Sequence, residues 1–397
     1  MPRPTRTASH AAAIGSSVFS PLAHRLAEHP GPIFPLHVGD TWMEPFDGGR
    51  MEDLTVAEHP GMHRYCENRG IPPLVDAIVE KVRSRNRLPC ERESVLVAAG
   101  ATAALACAIS QLADPGEEIL ILSPFWPLIR GIVQAERAKP VEIPFYDRVD
   151  SPSAAVEAVE ERIGERSVAL YLSTPSNPTA RLIPRIWLEA LAELARRRDL
   201  WLLSDEVYED FVYAGEHCSI GQFAPERTLS VYSFSKSYGM AGNRVGYLVG
   251  PPPAVAEALK VATHTWYHAP TAGQIAALRA LEGGEAWLRH AREAYRAAGE
   301  RVARILGVPP PEGSCFLFLD VRAHLDERGL LGFLEDCLED GVVLSPGASS
   351  GEDYPEWVRL CFTAAPPERI IEAARLLAKR LPRARGDRAA IPGARSG

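Results

Sequence analysis

Lys236 stands in the run Ser233-Phe234-Ser235-Lys236-Ser237-Tyr238-Gly239-Met240-Ala241-Gly242-Asn243-Arg244-Val245-Gly246-Tyr247. One amine among small hydroxylated residues, with a guanidinium close behind it, has the parts needed to hold a phosphorylated aldehyde covalently. The amine forms a Schiff base, hydroxyls such as those of Ser233 and Ser235 donate to a phosphate, and Arg244 neutralises it. A lysine on a solvated face would have polar neighbours, whereas this run is apolar and Gly-rich around a single Lys.

The run resembles the Schiff-base segment of the class I/II aminotransferases, which use pyridoxal 5′-phosphate (PLP) on the type I fold. Other segments match the family's pattern in the family's order, from residue 35 to residue 362. Trp201-Leu202-Leu203-Ser204-Asp205-Glu206-Val207-Tyr208 is an apolar strand ending in an acid. The resemblance makes Asp205 the carboxylate that keeps the PLP ring nitrogen protonated, at the strand end where α/β sheets hold their ligands. A turn-capping Asp is the plain alternative. Tyr208 would aim its phenol at the ring's 3′-oxygen, and Asn177, in Ser176-Asn177-Pro178, would donate to the same oxygen.

Gly100-Ala101-Thr102 follows a strand and opens a helix, the kind of N-terminus that binds phosphate through free amides. By the resemblance these residues, with Ser233, Ser235 and Arg244, form the phosphate cup. Trp126, in Ser123-Pro124-Phe125-Trp126-Pro127, occupies the family's ring-stacking position, with a core or lid tryptophan as its rival reading. Arg359 is the one charge inside the strand Trp357-Val358-Arg359-Leu360-Cys361-Phe362, and a buried guanidinium calls for a carboxylate. The family assigns that carboxylate to the substrate; an internal Asp or Glu is the alternative. Gly39 resembles the small residue whose backbone approaches the substrate. Tyr65, in His63-Arg64-Tyr65, resembles the tyrosine that reaches the neighbouring subunit's cofactor phosphate, which implies a homodimer with shared active sites, with a surface-packed tyrosine as the alternative. Two departures stand out: Pro346-Gly347-Ala348-Ser349-Ser350-Gly351 lacks a Phe common after the family's Pro-Gly turn, and Asn243 replaces an apolar residue.

The bulk composition agrees with an enzyme of this kind. The 397 residues are 46% hydrophobic and 24% charged, with a net charge of −8. That balance argues against a nucleic-acid partner, and no run approaches a membrane span in length. Seven dispersed cysteines with no C-x-x-C pair fit reduced thiols and a cytoplasmic location, and offer no metal site.

Hydrophobic patterning supplies the elements that must position these residues. Runs at Val95–Val97, Ile119–Leu122, Val168–Leu172, Trp201–Leu203, Leu229–Tyr232 and Val245–Val249 are apolar at consecutive positions, as in strands buried on both faces of a mainly parallel sheet. Helical stretches between them give βαβ logic. Further on, Leu288, Ala291, Tyr295, Ala298, Val302 and Ile305 mark one amphipathic helix, followed by a strand at Phe316–Val321, a helix at Leu325–Glu339, a strand at Trp357–Phe362 and a closing helix. The expected division is an N-terminal arm and extended segment over 1–45 (part of the small domain), a large PLP-binding α/β domain over 46–285, a small α+β domain over 286–382, and a disordered tail over 383–397.

Gly347-Ala348-Ser349-Ser350-Gly351 formally matches a nucleophile elbow, but no histidine follows it and Glu352-Asp353-Tyr354-Pro355 starts a helix poorly. His264 and His268 are four apart, yet Thr265 stands where a metalloprotease needs Glu. A PLP lyase or cyclase working at the same amino-acid carbons shares nearly every motif. A PLP-binding regulator would need a DNA-binding module, for which the residues before the first motif are too few. The expected function is therefore a ping-pong aminotransferase of amino acid metabolism and biosynthesis, moving an amino group between an L-amino acid and a 2-oxo acid. The segment 262–270, read as part of the substrate pocket, has aromatics and imidazoles but no Arg or Lys, which points to an uncharged or aromatic donor unless an arginine such as Arg25 intervenes.

Overall fold

The apolar runs assemble into a seven-stranded sheet in a computed structural model that describes residues 6–15 and 22–381. Its strands are β1 (Val95–Ala98), β2 (Glu118–Ser123), β3 (Lys139–Pro144), β4 (Ser167–Ser173), β5 (Trp201–Asp205), β6 (Thr228–Ser233) and β7 (Gly246–Val249). Their order is β1-β7-β6-β5-β4-β2-β3, parallel throughout except for β7, which runs antiparallel to both β1 and β6. The side chains explain why the sheet is central. Leu120, Leu122, Leu170, Leu172 and Leu202 pack into one apolar cluster. Ile119, Ile121, Ala169, Tyr171 and Leu203, alternating with them, pack into another on the opposite face. Each fully buried aliphatic side chain of this kind contributes about 1.5–3 kcal/mol.

β3 was not expected. Its sequence, Lys-Pro-Val-Glu-Ile-Pro, is polar and contains two prolines, and it lies at the sheet edge beside β2, with no other strand neighbour among the described residues. Edge strands tolerate proline because the missing N–H faces away from the ladder.

A second sheet holds β8 (Phe316–Asp320), β9 (Ser345–Pro346) and β10 (Trp357–Cys361) in the antiparallel order β8-β10-β9. The amphipathic helix runs Glu285–Leu306 and buries Leu288, Ala291, Tyr295, Ala298 and Val302, while Ile305 is only half-buried. The closing helix, Pro367–Arg380, joins the same core through Ile370, Ala374 and Leu377. The helix expected from Leu325 begins instead at Gly329. Leu325 is extended, and the Asp326 carboxylate accepts from the Arg328 N–H at 2.9 Å, a local turn that competes with helix.

The extended segment after Ile33 is sewn into the second sheet. Phe34 bridges Val342 in parallel, and the Cys361 N–H donates to the Leu36 carbonyl at 2.7 Å. This path carries His37 and Gly39 across to the ends of the large-sheet strands. Of the expected N-terminal arm, Ser9–Ala12 and Ala23–Ala27 are short helices. Residues 1–5 and 16–21 and the expected tail 383–397 lie outside the described residues.

Candidate active site

The antiparallel insertion of β7 brings distant segments to one point. Gly246, its first residue, pairs with Ala98 on one side and Ser233 on the other. The helix start at Ala101, the Ser233–Lys236 segment and Arg244 therefore converge at the carboxyl ends of the parallel strands. The packing leaves no room for a side chain at Gly246, where a Cβ would lie 2.7 Å from both the Ala101 nitrogen and the Tyr232 oxygen. Gly100 has φ +85°, and a Cβ there would strike the Arg244 guanidinium.

These segments line a cavity of about 260 Å³. Ala101, Thr102, Ser233, Ser235 and Arg244 occupy one side of the expected set, and Gly100 caps the adjoining helix without itself lining the space. That helix, Ala101–Leu112, has no side-chain cap, so its first amides remain available to an anion. Arg244 donates to the Ala241 carbonyl at 2.9 Å and, among the described residues, is paired with no carboxylate. Trp126, Asn177, Asp205, Tyr208, Lys236, Gly39 and Arg359 line the rest, together with Leu105, Val207 and Ala241, which sequence reasoning had not singled out.

Lys236 lies in the short helix Phe234–Ser237, whose N-cap Ser233 accepts from the Ser235 N–H at 3.0 Å. Its Nζ donates to the Gly39 carbonyl and lies 3.5 Å from Asp40 Oδ1. Asp205, only 5% exposed, ends β5. Tyr171 donates to its Oδ2 at 2.7 Å and the Val207 N–H to its Oδ1 at 3.3 Å. Burial pushes its pKa up to about 6; the Tyr171 and Val207 bonds oppose that rise and the Glu206 charge adds to it. No cation among the described residues offsets this carboxylate.

Arg359 presents the opposite deficit. It is 7% exposed and donates to Asn177 Oδ1 at 3.0 Å, the His37 carbonyl at 2.9 Å and Ser345 Oγ at 3.2 Å. Its guanidinium lies 4.6 Å from the Phe316 ring centre. Burial lowers its pKa, and no Asp or Glu among the described residues pairs with it, so the internal salt bridge weighed from the sequence is absent from them. Asn177 thus links two functional groups: its Oδ1 holds Arg359 and its Nδ2 lies 3.5 Å from the Tyr208 hydroxyl. Burial keeps the Tyr208 phenol well above its ordinary pKa and therefore protonated.

Tyr65 stays apart. It is 83% exposed and packs edge-on to Tyr267 and His268, with ring centres 5.1 and 5.7 Å away. The 262–270 segment does not line the cavity, so the ground first given for an uncharged substrate does not hold within this chain. His264 lies in the helix Pro252–Thr265 and His268 beyond its end, so they share no helical face. Arg25, the alternative substrate cation, pairs with Glu335 at 2.7 Å. Tyr171 and Phe316 are contacts that sequence reasoning took only as strand residues. The register shows how Tyr171 could have been found: it pairs with Leu203, two places before Asp205 on the same face.

A sequence profile of the family described as aminotransferase class I and II matches residues 43–377. The chain belongs to the class I and II aminotransferases. It is 35% identical, over 72% of its length and 76% of the relative's, to an aspartate/prephenate aminotransferase of Thermus thermophilus. It is 33% identical to an arginine–pyruvate transaminase of Pseudomonas aeruginosa, over 80% and 82% of the two chains. Among solved structures, the aspartate aminotransferase of T. thermophilus with maleate superposes with a TM-score of 0.86 and 30% identity, covering 95% of this chain and all of that one. The fold is that of the type I PLP enzymes, and the protein is an aminotransferase. No helix among the described residues is long and apolar enough to cross a membrane.

Proposed function

We propose that this aminotransferase uses PLP at Lys236, works by a ping-pong mechanism as a homodimer, and takes an uncharged L-amino acid as its preferred donor with a 2-oxo acid as acceptor. One observation carries the reading: a single cavity holds a buried carboxylate, Asp205, that pairs with no cation among the described residues, and a buried guanidinium, Arg359, that pairs with no carboxylate among them. A leftover charge of either sign is costly in such a place, and a ligand pair with one cationic ring nitrogen and one carboxylate relieves both. The uncapped helix start and the unpaired Arg244 fit a phosphate in the same space.

Bound PLP supplies an aldehyde for amine exchange and a ring that accepts the electrons left at Cα when its proton departs. Lys236 would hold the cofactor through its amine, and once the substrate amine took that place its Nζ would serve as the base for the Cα proton and the acid that returns it. Asp205 would hold a proton on the ring nitrogen. Tyr208 and Asn177 would donate to the ring 3′-oxygen, and Trp126 would cover the ring face. Arg359 grips the α-carboxylate through its planar fork, and the Gly39 backbone closes against the substrate. Asn177 Oδ1 orients Arg359 by accepting from its guanidinium at 3.0 Å. The second substrate, a 2-oxo acid, reverses the sequence.

Among the described residues three cations line the cavity, Lys236, Arg244 and Arg359, and each already has a task. None remains for a side-chain carboxylate, and Arg25 is held by Glu335. The relatives' names span aspartate, prephenate and arginine, so they do not decide among donors. The exposure of Tyr65 supports a role across a dimer interface. The tie between Phe34 and Val342 supports the arm as part of a small domain, with working boundaries 1–45, 46–285 and 286–382. The seven free thiols support a cytoplasmic setting. The test is a donor panel: with PLP-loaded protein, alanine, methionine and phenylalanine should convert the cofactor to its amine form faster than aspartate or glutamate. Faster conversion by the dicarboxylic acids would overturn the substrate reading.

A further inference from the structure

We infer that Tyr171 is a positioning residue for the ring-nitrogen contact: its hydroxyl keeps Asp205 ionised, so that the shared proton stays on the cofactor ring instead of passing to the carboxyl. The inference rests on the cofactor reading above and goes beyond it by naming what sets the strength of the electron sink.

The geometry is direct. Tyr171 is on β4, fully buried, and its hydroxyl is 2.7 Å from Asp205 Oδ2. β4 and β5 pair in parallel with Tyr171 opposite Leu203, which places the ring diagonally below Asp205 on the same face of the sheet. Ala169 and Leu203 surround it, along with Ile121 from β2. In an apolar setting like this the hydroxyl has one strong acceptor, the carboxylate.

The chemistry follows from competition for one proton. A ring nitrogen and a buried carboxyl that share a proton can divide it either way. If it moves to the carboxyl, the ring becomes neutral and withdraws electrons poorly. Burial of Asp205 favours that outcome, because it disfavours the carboxylate. Among the described residues the titratable groups around Asp205 are Tyr171 from β4, Tyr146 beyond β3, Tyr208 and Glu206, and none of these is a cation. Tyr146 spends its hydroxyl on the Ser173 carbonyl at 2.6 Å, and Tyr208 accepts from Asn177 Nδ2 at 3.5 Å without bonding to Asp205. Glu206 acts in the wrong direction. Tyr171 and the more distant Val207 amide are therefore the donors that hold the carboxylate charged. The tyrosine also stays a donor, since burial and the neighbouring Asp205 charge raise its own pKa well above the ordinary value.

A hydrogen bond to a charged group moves a carboxyl midpoint by roughly one to two pH units. Tyr171→Phe removes only the hydroxyl and keeps the ring that fills the core, so the fold is retained. Two measurements read the effect. In apoprotein carrying 13C-labelled aspartate, with Asp205→Asn assigning the signal, the Asp205 midpoint should rise by roughly one to two pH units in Tyr171→Phe. In holoenzyme reconstituted with ring-15N PLP, the nitrogen shift should be that of a protonated pyridine in wild type and move toward the unprotonated value in the variant, with kcat reduced and KM for the donor unchanged. An unchanged carboxyl midpoint together with an unchanged 15N shift would overturn the inference. If wild-type protein takes up no PLP, the cofactor reading fails, and the apoprotein titration still decides what Tyr171 does to Asp205.

Discussion

Replacing Arg359 by lysine keeps a cation on β10 but removes the planar fork. In the structure the fork spans Asn177 Oδ1, the His37 carbonyl and Ser345 Oγ, and no carboxylate among the described residues pairs with it. A lysine ammonium cannot make the paired contact with a substrate carboxylate and reaches a different point. One charge-assisted hydrogen bond is worth about 1.5–3 kcal/mol, and losing about 2 kcal/mol corresponds to roughly a 30-fold fall in kcat/KM for the amino acid. Arg359→Met removes the charge as well. Truncating one partner of a buried charge pair costs about 2–5 kcal/mol, so the fall should reach roughly 30- to 4000-fold. Stopped-flow half-reactions with alanine give these ratios, and equilibrium titration gives PLP affinity, which should stay within a few-fold because Arg359 serves the substrate and not the cofactor. Two results would refute the reasoning: both variants within about three-fold of wild type, or cofactor affinity falling in step with catalysis.

Two further outcomes follow from the same site. Asp205 is buried and its pKa is raised from 3.8 to about 6, so the unfolded chain ionises first as pH rises, and the apoprotein loses stability between those values, by about 3 kcal/mol in total. Apo Asp205→Asn should therefore resist denaturant better than apo wild type at pH 7.5 and no better near pH 4, while PLP should stabilise it less; a variant weaker than wild type at pH 7.5 would mean the protein already satisfies the carboxylate. For the dimer, mixing an inactive Lys236→Ala chain with a Tyr65→Phe chain should give activity above that of the two chains kept apart, through one intact site that joins Lys236 and Arg244 of one chain to Tyr65 of the other, and a fully active monomer by light scattering would exclude sharing.

Much of this architecture can be read from consecutive apolar residues, because a parallel sheet buried on both faces leaves that mark at Ile119–Leu122 or Val168–Leu172. Strand direction leaves none: Val245–Val249 looks like its neighbours, yet β7 runs the other way, and that reversal gathers the expected phosphate cup. β3 escaped notice because an edge strand needs little hydrophobicity and tolerates Pro140 and Pro144. Residues whose chemistry is costly in isolation, such as Arg359 within β10 or Asp205 after three apolar positions, were visible by their misfit. Tyr171 fits a core strand perfectly well, so only the register with β5 reveals its bond to Asp205. The 262–270 segment misled for the converse reason: adjacency to the lysine strand in sequence did not become adjacency to the cavity in space.

The central claim, that Lys236 holds the cofactor of an aminotransferase, meets its most direct test in one trapped half-reaction. Protein loaded with PLP is split in two, one portion being reduced with borohydride at once and the other after excess alanine. The first portion should carry the reduced cofactor mass on the peptide containing Lys236, and the second should carry none there while releasing one pyruvate per site and no ammonia. Attachment at another lysine, or ammonia in place of stoichiometric pyruvate, would contradict it.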